Sequence, residues 1–191
     1  MVRLNKIYTR TGDTGETGLA DGSRIAKDHP RACAVGDVDE ANCAIGAALL
    51  HISDEGTRDM LGAIQNEMFD LGADLATPGE DFAPTEMSLR IVQSQIDRLE
   101  REIDRMNGEL EPLRSFILPG GGGGPAGLHV ARAIVRRAER SAVAAARDVS
   151  LNPLALIYLN RLSDHLFVMA RYLARKEGGD VLWQPGATRG E

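Results

Sequence analysis

The sequence predicts an all-α protein, an antiparallel bundle of about five helices. Three observations carry this reading. Apolar residues recur at spacings of three and four in several long segments. Clusters of proline, glycine and polar residues separate those segments. No stretch shows the apolar–polar alternation of a half-buried strand. A chain of 191 residues suits one domain, 1–191, with enough length to bury a real core.

The first helical segment is "RACAVGDVDEANCAIGAALLHI". The second, "TRDMLGAIQNEMFDLGADLA", carries Leu61, Ile64, Met68, Leu71 and Leu75 along one face. "TPGEDFAPTEM" interrupts with two prolines. "SLRIVQSQIDRLEREIDRM" resumes the period with Val92, Ile96, Leu99, Ile103 and Met106. After the long connection "NGELEPLRSFILPGGGGGP", the segment "AGLHVARAIVRRAERSAVAAARDV" reads as a strong helix. "SLNP" stops it and places Pro153 at the start of the last helix, which Gly178 and Gly179 end. Residues 180–191 read as a flexible tail.

Composition excludes several classes. Apolar residues make up 43% of the chain and charged residues 26%, as in soluble globular proteins. A net charge of -6 argues against nucleic-acid and anionic-membrane partners, although a local cluster of arginines can still hold a phosphate. No apolar run reaches the roughly 20 residues of a membrane span, and the first residues lack a signal-peptide pattern. Cys33 and Cys43 would lie about 15 Å apart on one helix, too far for a disulfide. They are read as reduced packing residues of a cytoplasmic protein. His29, His51, His129 and His165 form no pair at metal-ligating spacing, so a zinc or di-iron site is not expected.

The chemistry-bearing stretches are few. The opening "IYTRTGDTGETGLADGSR" is rich in glycine and threonine and has no apolar period. It is either a disordered arm or a backbone cradle for an anion, with N–H groups turned inward and hydroxyls added. On the fourth helix, Arg132, Arg136, Glu139 and Arg140 fall together at the border of the apolar face, with Arg137 further out. A solvated ion-paired face would explain them. The use of arginine in this run without lysine favours bidentate binding of carboxylate or phosphate. "GDVDEAN" places Asp37, Asp39 and Glu40 early in the first helix. Asp39 is a candidate partner for a half-buried arginine, and helix-end acids are the plain alternative. Asn160, Ser163, Asp164, Phe167 and Arg171 form a strip along the last helix that is either a solvent face or part of a site. The five glycines after "FILP" signal either close backbone approach or tolerated looseness, and Phe116 is either core packing or exposed for a purpose.

In combination, "KIYTRTGDTGETGL", "VGDVDEAN", "FILPGG", "LHVARAIVRRAER" and "LNRLSDHLFVMARY" resemble the PduO-type ATP:cob(I)alamin adenosyltransferases from about residue 5 to residue 178. The resemblance implies a homotrimer of five-helix subunits with ATP sites between neighbours. It implies transfer of the 5′-adenosyl group of ATP to the Co(I) of a reduced corrinoid, giving adenosylcobalamin and triphosphate. It implies Mg2+ as cofactor, with cob(II)alamin reduced to cob(I)alamin beforehand. A reductase and an adenosylcobalamin-dependent mutase are the implied protein partners.

Residue by residue, the resemblance puts ATP against an opening loop within residues 1–25: Thr9, Arg10, Thr11, Gly12, Asp13, Thr14, Gly15, Glu16, Thr17 and Gly18. It adds Lys27, Arg136, Arg137, Glu139, Arg140 and Asn160. Glu139 is the side chain implied nearest the magnesium. Asp39 and Arg132 match a salt-bridged pair needed for activity, and Phe116 matches the phenylalanine beneath the corrin ring. Arg10 and Thr14 stand where several relatives carry lysine, which removes a charge near the phosphates at Thr14. The rival expectation is a non-catalytic nucleotide-binding bundle that signals or delivers cofactor.

Overall fold

The computed structural model describes residues 7–86 and 88–189. Residues 5 and 6, where the resemblance begins, and the last two residues of the expected tail lie outside them. The described residues form five helices: α1 (Pro30–Leu49), α2 (Glu55–Leu75), α3 (Gln93–Asn107), α4 (Gly123–Ala145) and α5 (Pro153–Ala174). Four of the five begin at a recognisable side-chain signal, and α4 follows Gly122 with no side-chain cap. His29 accepts a hydrogen bond from the Arg31 N–H, with Pro30 following. Asp54 accepts from Thr57 N–H at 3.0 Å. Gln95 reaches back to the Val92 N–H at 2.9 Å. Asn152 accepts from Leu154 N–H at 3.0 Å, again with proline next.

The apolar faces read from the sequence are the core. Leu61, Ile64, Met68, Leu71 and Leu75 of α2 are all buried, as are Ile96, Leu99 and Met106 of α3. In the packing order, α1 sits between α2 and α4, and α5 joins α4 to α3. Chain-adjacent helices run antiparallel. The α3–α5 pair runs parallel, because Glu100 meets Arg161, Glu102 meets His165 and Glu109 meets Arg175 in rising order on both helices.

Three expectations are corrected. The opening stretch contains a short antiparallel hairpin, β1 (Glu16–Gly18) with β2 (Arg24–Ala26), pairing Thr17 with Ile25. Three-residue strands are too short to show an alternating pattern. Cys33 and Cys43 are free but exposed on α1, so they are not packing residues. The start of the tail is docked: the Trp183 N–H donates to the Phe116 carbonyl and the Leu118 N–H to that of Val181, both at 2.8 Å.

The end of the glycine run, and Gly127 beyond it, answer to close approach. A Cβ on Gly124 would stand 2.9 Å from Ile52 Cγ1, and one on Gly127 would stand 2.9 Å from Ala48 Cβ and 3.0 Å from its Cα. These glycines let the start of α4 lie directly on the end of α1. Gly62 on α2 has open space where its side chain would be. We expect Gly127→Val to lower stability by overpacking, by roughly 1–3 kcal/mol or more. Gly62→Ala should raise it by up to about 1 kcal/mol through helix propensity. Urea unfolding curves of the two variants check this, and equal midpoints would contradict the packing assignment.

A buried polar hub closes the end of the bundle that holds the hairpin. The Asp74 carboxylate accepts from Arg90 at 2.8 Å, from Ile91 N–H at 2.8 Å and from Asn152 Nδ2 at 2.7 Å. Arg31 donates to the carbonyls of Leu75 and Ser150, the latter at 2.9 Å. The hairpin hangs from this hub, since the Ala20 N–H donates to the Ala76 carbonyl at 3.0 Å.

Candidate functional site

The opening stretch is folded into a curl around Lys27. The Lys27 N–H donates to the Gly15 carbonyl at 2.9 Å, and its ammonium lies 3.3 Å from where a Cβ on Gly12 would stand. Any larger residue at 12 would push on that ammonium and on the Glu16 carbonyl, also 3.3 Å away. Gly15 takes a left-handed φ of 89°, which glycine adopts without strain. Arg24 pins the curl, donating to the Thr11 carbonyl at 2.7 Å and pairing with Glu16 at 3.2 Å. Thr9 and Thr11 share a hydroxyl contact of 2.9 Å. Arg10 has φ 64° and lies over the Tyr8 ring. Asp13 N–H donates to the Arg10 carbonyl at 3.3 Å, so Thr14 sits at an exposed turn.

Beside this curl opens a cleft of about 730 Å3 between the hairpin, α1 and α2. Thr17, Gly18 and Lys27 line one wall; Asp39, Met68 and Phe69 line the other. Its walls are mainly apolar, with a cation and an acid at the rim. Phe69 is an exposed large side chain there.

The fourth helix divides the predicted arginines. Arg137 turns toward α1, 3.4 Å from Asp37 and against Glu40. The Glu40 carboxylate is the main reason its pKa is raised. Ser141 donates to Asp37 on the same side. Arg132 turns toward α5, with its guanidinium carbon 6.0 Å from the centre of the Phe167 ring. Its Nε is buried without a hydrogen-bond partner, and burial followed by the charge of Arg136 lowers its pKa. Arg136 is exposed, and Arg140 donates to the Arg136 carbonyl at 2.8 Å. Among the described residues, no ion pair involves Arg136, Arg140, Glu139 or Asp39. Asn160 is exposed on α5.

The structure therefore does not bring Asp39 and Arg132 together within one chain. Asp39 lies on the flank of α1 toward α2, while Arg132 lies on the flank of α4 toward α5. The hairpin and the lower turns of α4, which hold Arg136 and Arg140, share one end of the bundle. Phe116 sits at the other end, 78% exposed, edge-on to Trp183 at 6.1 Å. Trp183 is a residue that sequence reasoning missed, and Arg171, read only as part of a polar strip, is buried. Trp183 meets Phe116 and Arg171 meets the Glu111 carbonyl, both remote in sequence, so no local pattern signals these contacts. His129 and Phe167, in edge contact at 6.2 Å, lie between the two ends. Burial, then the charge of Arg132, holds His129 below the usual histidine range.

A half-buried Arg132 and the exposed Arg136 and Arg140, none with an acid partner among the described residues, stand on a helix whose far turns share an end of the bundle with a glycine-threonine curl, an arrangement that suits the bundle to an anion. An exposed aromatic segment at the far end gives it a second, apolar surface. The chain belongs to the cobalamin adenosyltransferase family, whose pattern it matches over residues 7–173. It is 54% identical over 191 residues to a corrinoid adenosyltransferase of Mycobacterium tuberculosis, covering 98% of this chain and 97% of that one. It is 44% identical over 165 residues to the corrinoid adenosyltransferase PduO of Salmonella typhimurium, covering 86% of this chain and 48% of that longer protein. Its fold matches a variant PduO-type ATP:corrinoid adenosyltransferase from Lactobacillus reuteri, complexed with cobalamin and ATP. The TM-score is 0.86 at 37% identity, covering 94% of this chain and 97% of the other.

Proposed function

We propose that the chain is an ATP:corrinoid adenosyltransferase, making adenosylcobalamin and triphosphate. The observation that carries this is the pairing of family membership with an intact set of parts: the curl of residues 9–18 around Lys27, and Arg132, Arg136 and Arg140 without acid partners. In the reaction, the cobalt-centred electron pair of Co(I) forms a bond to the ATP 5′ carbon. The bond from that carbon to the triphosphate oxygen breaks, and its pair leaves with the triphosphate. Co(I) is already a strong nucleophile, so the protein's work is to orient ATP and to stabilise the departing charge. In this reading the opening loop, through its Thr9, Thr11, Thr14 and Thr17 hydroxyls, does that work together with Lys27, Arg136 and Arg140. Asn160 and Arg137 complete the nucleotide surface in this reading.

The site is shared between subunits of a homotrimer. This reading is supported by the opposite flanks on which Asp39 and Arg132 lie, each lacking a partner of its own. A neighbouring copy that docks its α4 flank against the cleft supplies both.

A magnesium ion fits as a companion of the triphosphate. No three His, Cys, Asp or Glu side chains cluster as a metal cage among the described residues, and the half-buried Glu139 carboxylate makes no ion pair there. Bound to triphosphate, such an ion neutralises charge on the leaving group. Glu139 would be its protein ligand, on the same helix as Arg136 and Arg140.

Phe116 is assigned to the lower face of the corrin, where an apolar ring displaces the axial ligand and leaves cob(II)alamin four-coordinate and easier to reduce. No helix of the described residues is long and apolar enough to cross a membrane. In this reading the enzyme works in the cytoplasm, served by a reductase and delivering its product to a mutase.

The direct test is incubation with ATP, magnesium, cob(II)alamin and a reductant. Light-sensitive adenosylcobalamin is the expected product; ATP binding without it would favour a non-catalytic nucleotide-binding bundle. Within the site, Arg136→Ala should lose charge-assisted hydrogen bonds to phosphate worth roughly 1.5–3 kcal/mol. The kinetic constants for ATP should change by about ten- to a hundredfold. Unaltered ATP kinetics would remove Arg136 from the phosphate site.

A further inference from the structure

Phe116 has no core to hold it in place. It is 78% exposed and lies in a connection that runs into Gly120–Gly124. What fixes its backbone is the tail. The Phe116 carbonyl accepts from the Trp183 N–H, the Val181 carbonyl accepts from the Leu118 N–H, and the Ser115 hydroxyl donates to the Trp183 carbonyl at 2.9 Å. The tail is itself weakly tethered, because it leaves α5 through Gly178 and Gly179, both at left-handed φ. Two glycine-flanked segments paired only with each other would swing as a unit.

One side chain prevents that. Arg171, on the last turn of α5, is buried to 6% exposure. Its Nε pairs with Asp180 Oδ2 at 2.8 Å, and its second amino group donates to the Glu111 carbonyl at 2.9 Å. The planar guanidinium therefore grips the base of both segments at once, one through a carboxylate and one through a backbone carbonyl. Arg175, one turn on, adds a tie to Glu109 at 2.7 Å.

We propose that Arg171 is a positioning residue for Phe116: through Asp180 and the Glu111 carbonyl it clamps the paired segments 115–118 and 180–183 to α5. The clamp thereby sets where the Phe116–Trp183 aromatic edge meets the corrinoid. This rests on the corrinoid role given to Phe116 above. It has a specific kinetic signature. An apolar wedge matters for making Co(I) and not for the attack by Co(I), so the clamp should matter for cob(II)alamin and not for cob(I)alamin already reduced.

The test uses the full chain with Asp180→Asn, which leaves Arg171 buried and removes only the charge that holds the tail. Trp183 is the only tryptophan, so its emission reports tail docking directly. Expected are a red-shifted, more easily quenched Trp183 emission and faster amide exchange at Trp183 and Leu118. Four-coordinate cob(II)alamin should fall. The rate from cob(II)alamin should fall roughly tenfold, as for a lost charge-assisted hydrogen bond. The rate from chemically prepared cob(I)alamin and the KM for ATP should stay within about twofold. Asp180→Glu should restore part of the loss. A chain ended at Gly179 provides the same corrinoid readouts should Asp180→Asn fold poorly.

Unchanged Trp183 emission in Asp180→Asn would overturn the clamp. So would a freed Trp183 with an unchanged four-coordinate fraction, or equal losses from cob(II)alamin and cob(I)alamin. Phe116→Ala run in parallel separates the two assignments. If it retains the wild-type four-coordinate fraction, the corrinoid role of Phe116 fails and the clamp's purpose fails with it. If it loses that fraction while Asp180→Asn does not, the clamp alone fails.

Discussion

Asp39→Ala and Arg132→Ala are each expected to lose nearly all transferase activity, and the two inactive proteins, unfolded together and refolded, are expected to regain part of it. The expectation follows from where the side chains lie. Within one chain they occupy opposite flanks of the α1–α4 pair, Asp39 toward α2 and Arg132 toward α5. The Arg132 Nε is buried without a partner, a situation that costs free energy unless an acceptor arrives. A neighbouring subunit that brings Asp39 to Arg132 satisfies both groups. Random mixing in a cyclic oligomer then leaves about a quarter of the interfaces with an intact Asp39 and an intact Arg132. Activity near that fraction is the expected result. The double variant should also be far less impaired than the product of the single effects. No recovery, with subunit exchange demonstrated, would show that the pair does not bridge two chains.

Asp74→Ala should be among the most destabilising single changes in the protein. The Asp74 and Arg90 side chains are 1% and 3% exposed, so removing the acid leaves a buried guanidinium with carbonyls alone. Breaking such a pair costs about 3–5 kcal/mol. For a chain of this size that is on the order of a 10 °C fall in the thermal midpoint. Asn152 Nδ2 and the Ile91 N–H lose an acceptor at the same moment. The damage should also reach the nucleotide, because the hairpin is bonded to Ala76 two residues beyond Asp74. A raised KM for ATP at temperatures where the variant is still folded is therefore expected. A midpoint within about 2 °C of wild type would show that the hub contributes little.

The helices were legible because their signal is local. Leu61, Ile64, Met68, Leu71 and Leu75 repeat at helical spacing, and all five are buried. Proline and glycine marked the ends of α4 and α5 to within a few residues, but Val149 falls beyond α4, whose last regular turn closes at Ala145. Cys33 and Cys43 were misjudged because α1 is rich in alanine, and small residues do not distinguish its buried face from its exposed one. The hub at Asp74 was invisible, since its partners lie at 90, 91 and 152 and no spacing rule connects them. The same holds for Arg171, which the sequence places on a polar strip and the structure puts under the tail. For the candidate site, the residue types in the arginine run and the opening stretch pointed to an anion. Sequence alone could not say that Arg137 would be taken up by Asp37 and Glu40, or that Asp39 and Arg132 would face apart.

One helix carries both the arginine proposed to bridge two subunits and the arginines proposed to hold triphosphate. Arg132 and Arg140 are eight residues apart on unbroken α4, about 12 Å of rise. That makes α4 a ruler and also a phase key. Inserting a single alanine between Arg132 and Arg136 would turn everything beyond it by about 100°, swinging Arg136 and Arg140 off their shared face. Inserting seven would bring the face back into phase to within about 20° while displacing it by roughly 10 Å along the axis. The spacing between the two halves of the site is therefore set by backbone hydrogen bonds, independent of the loops at either end. Those loops can vary in length and sequence without altering the spacing of Arg132 from Arg136 and Arg140.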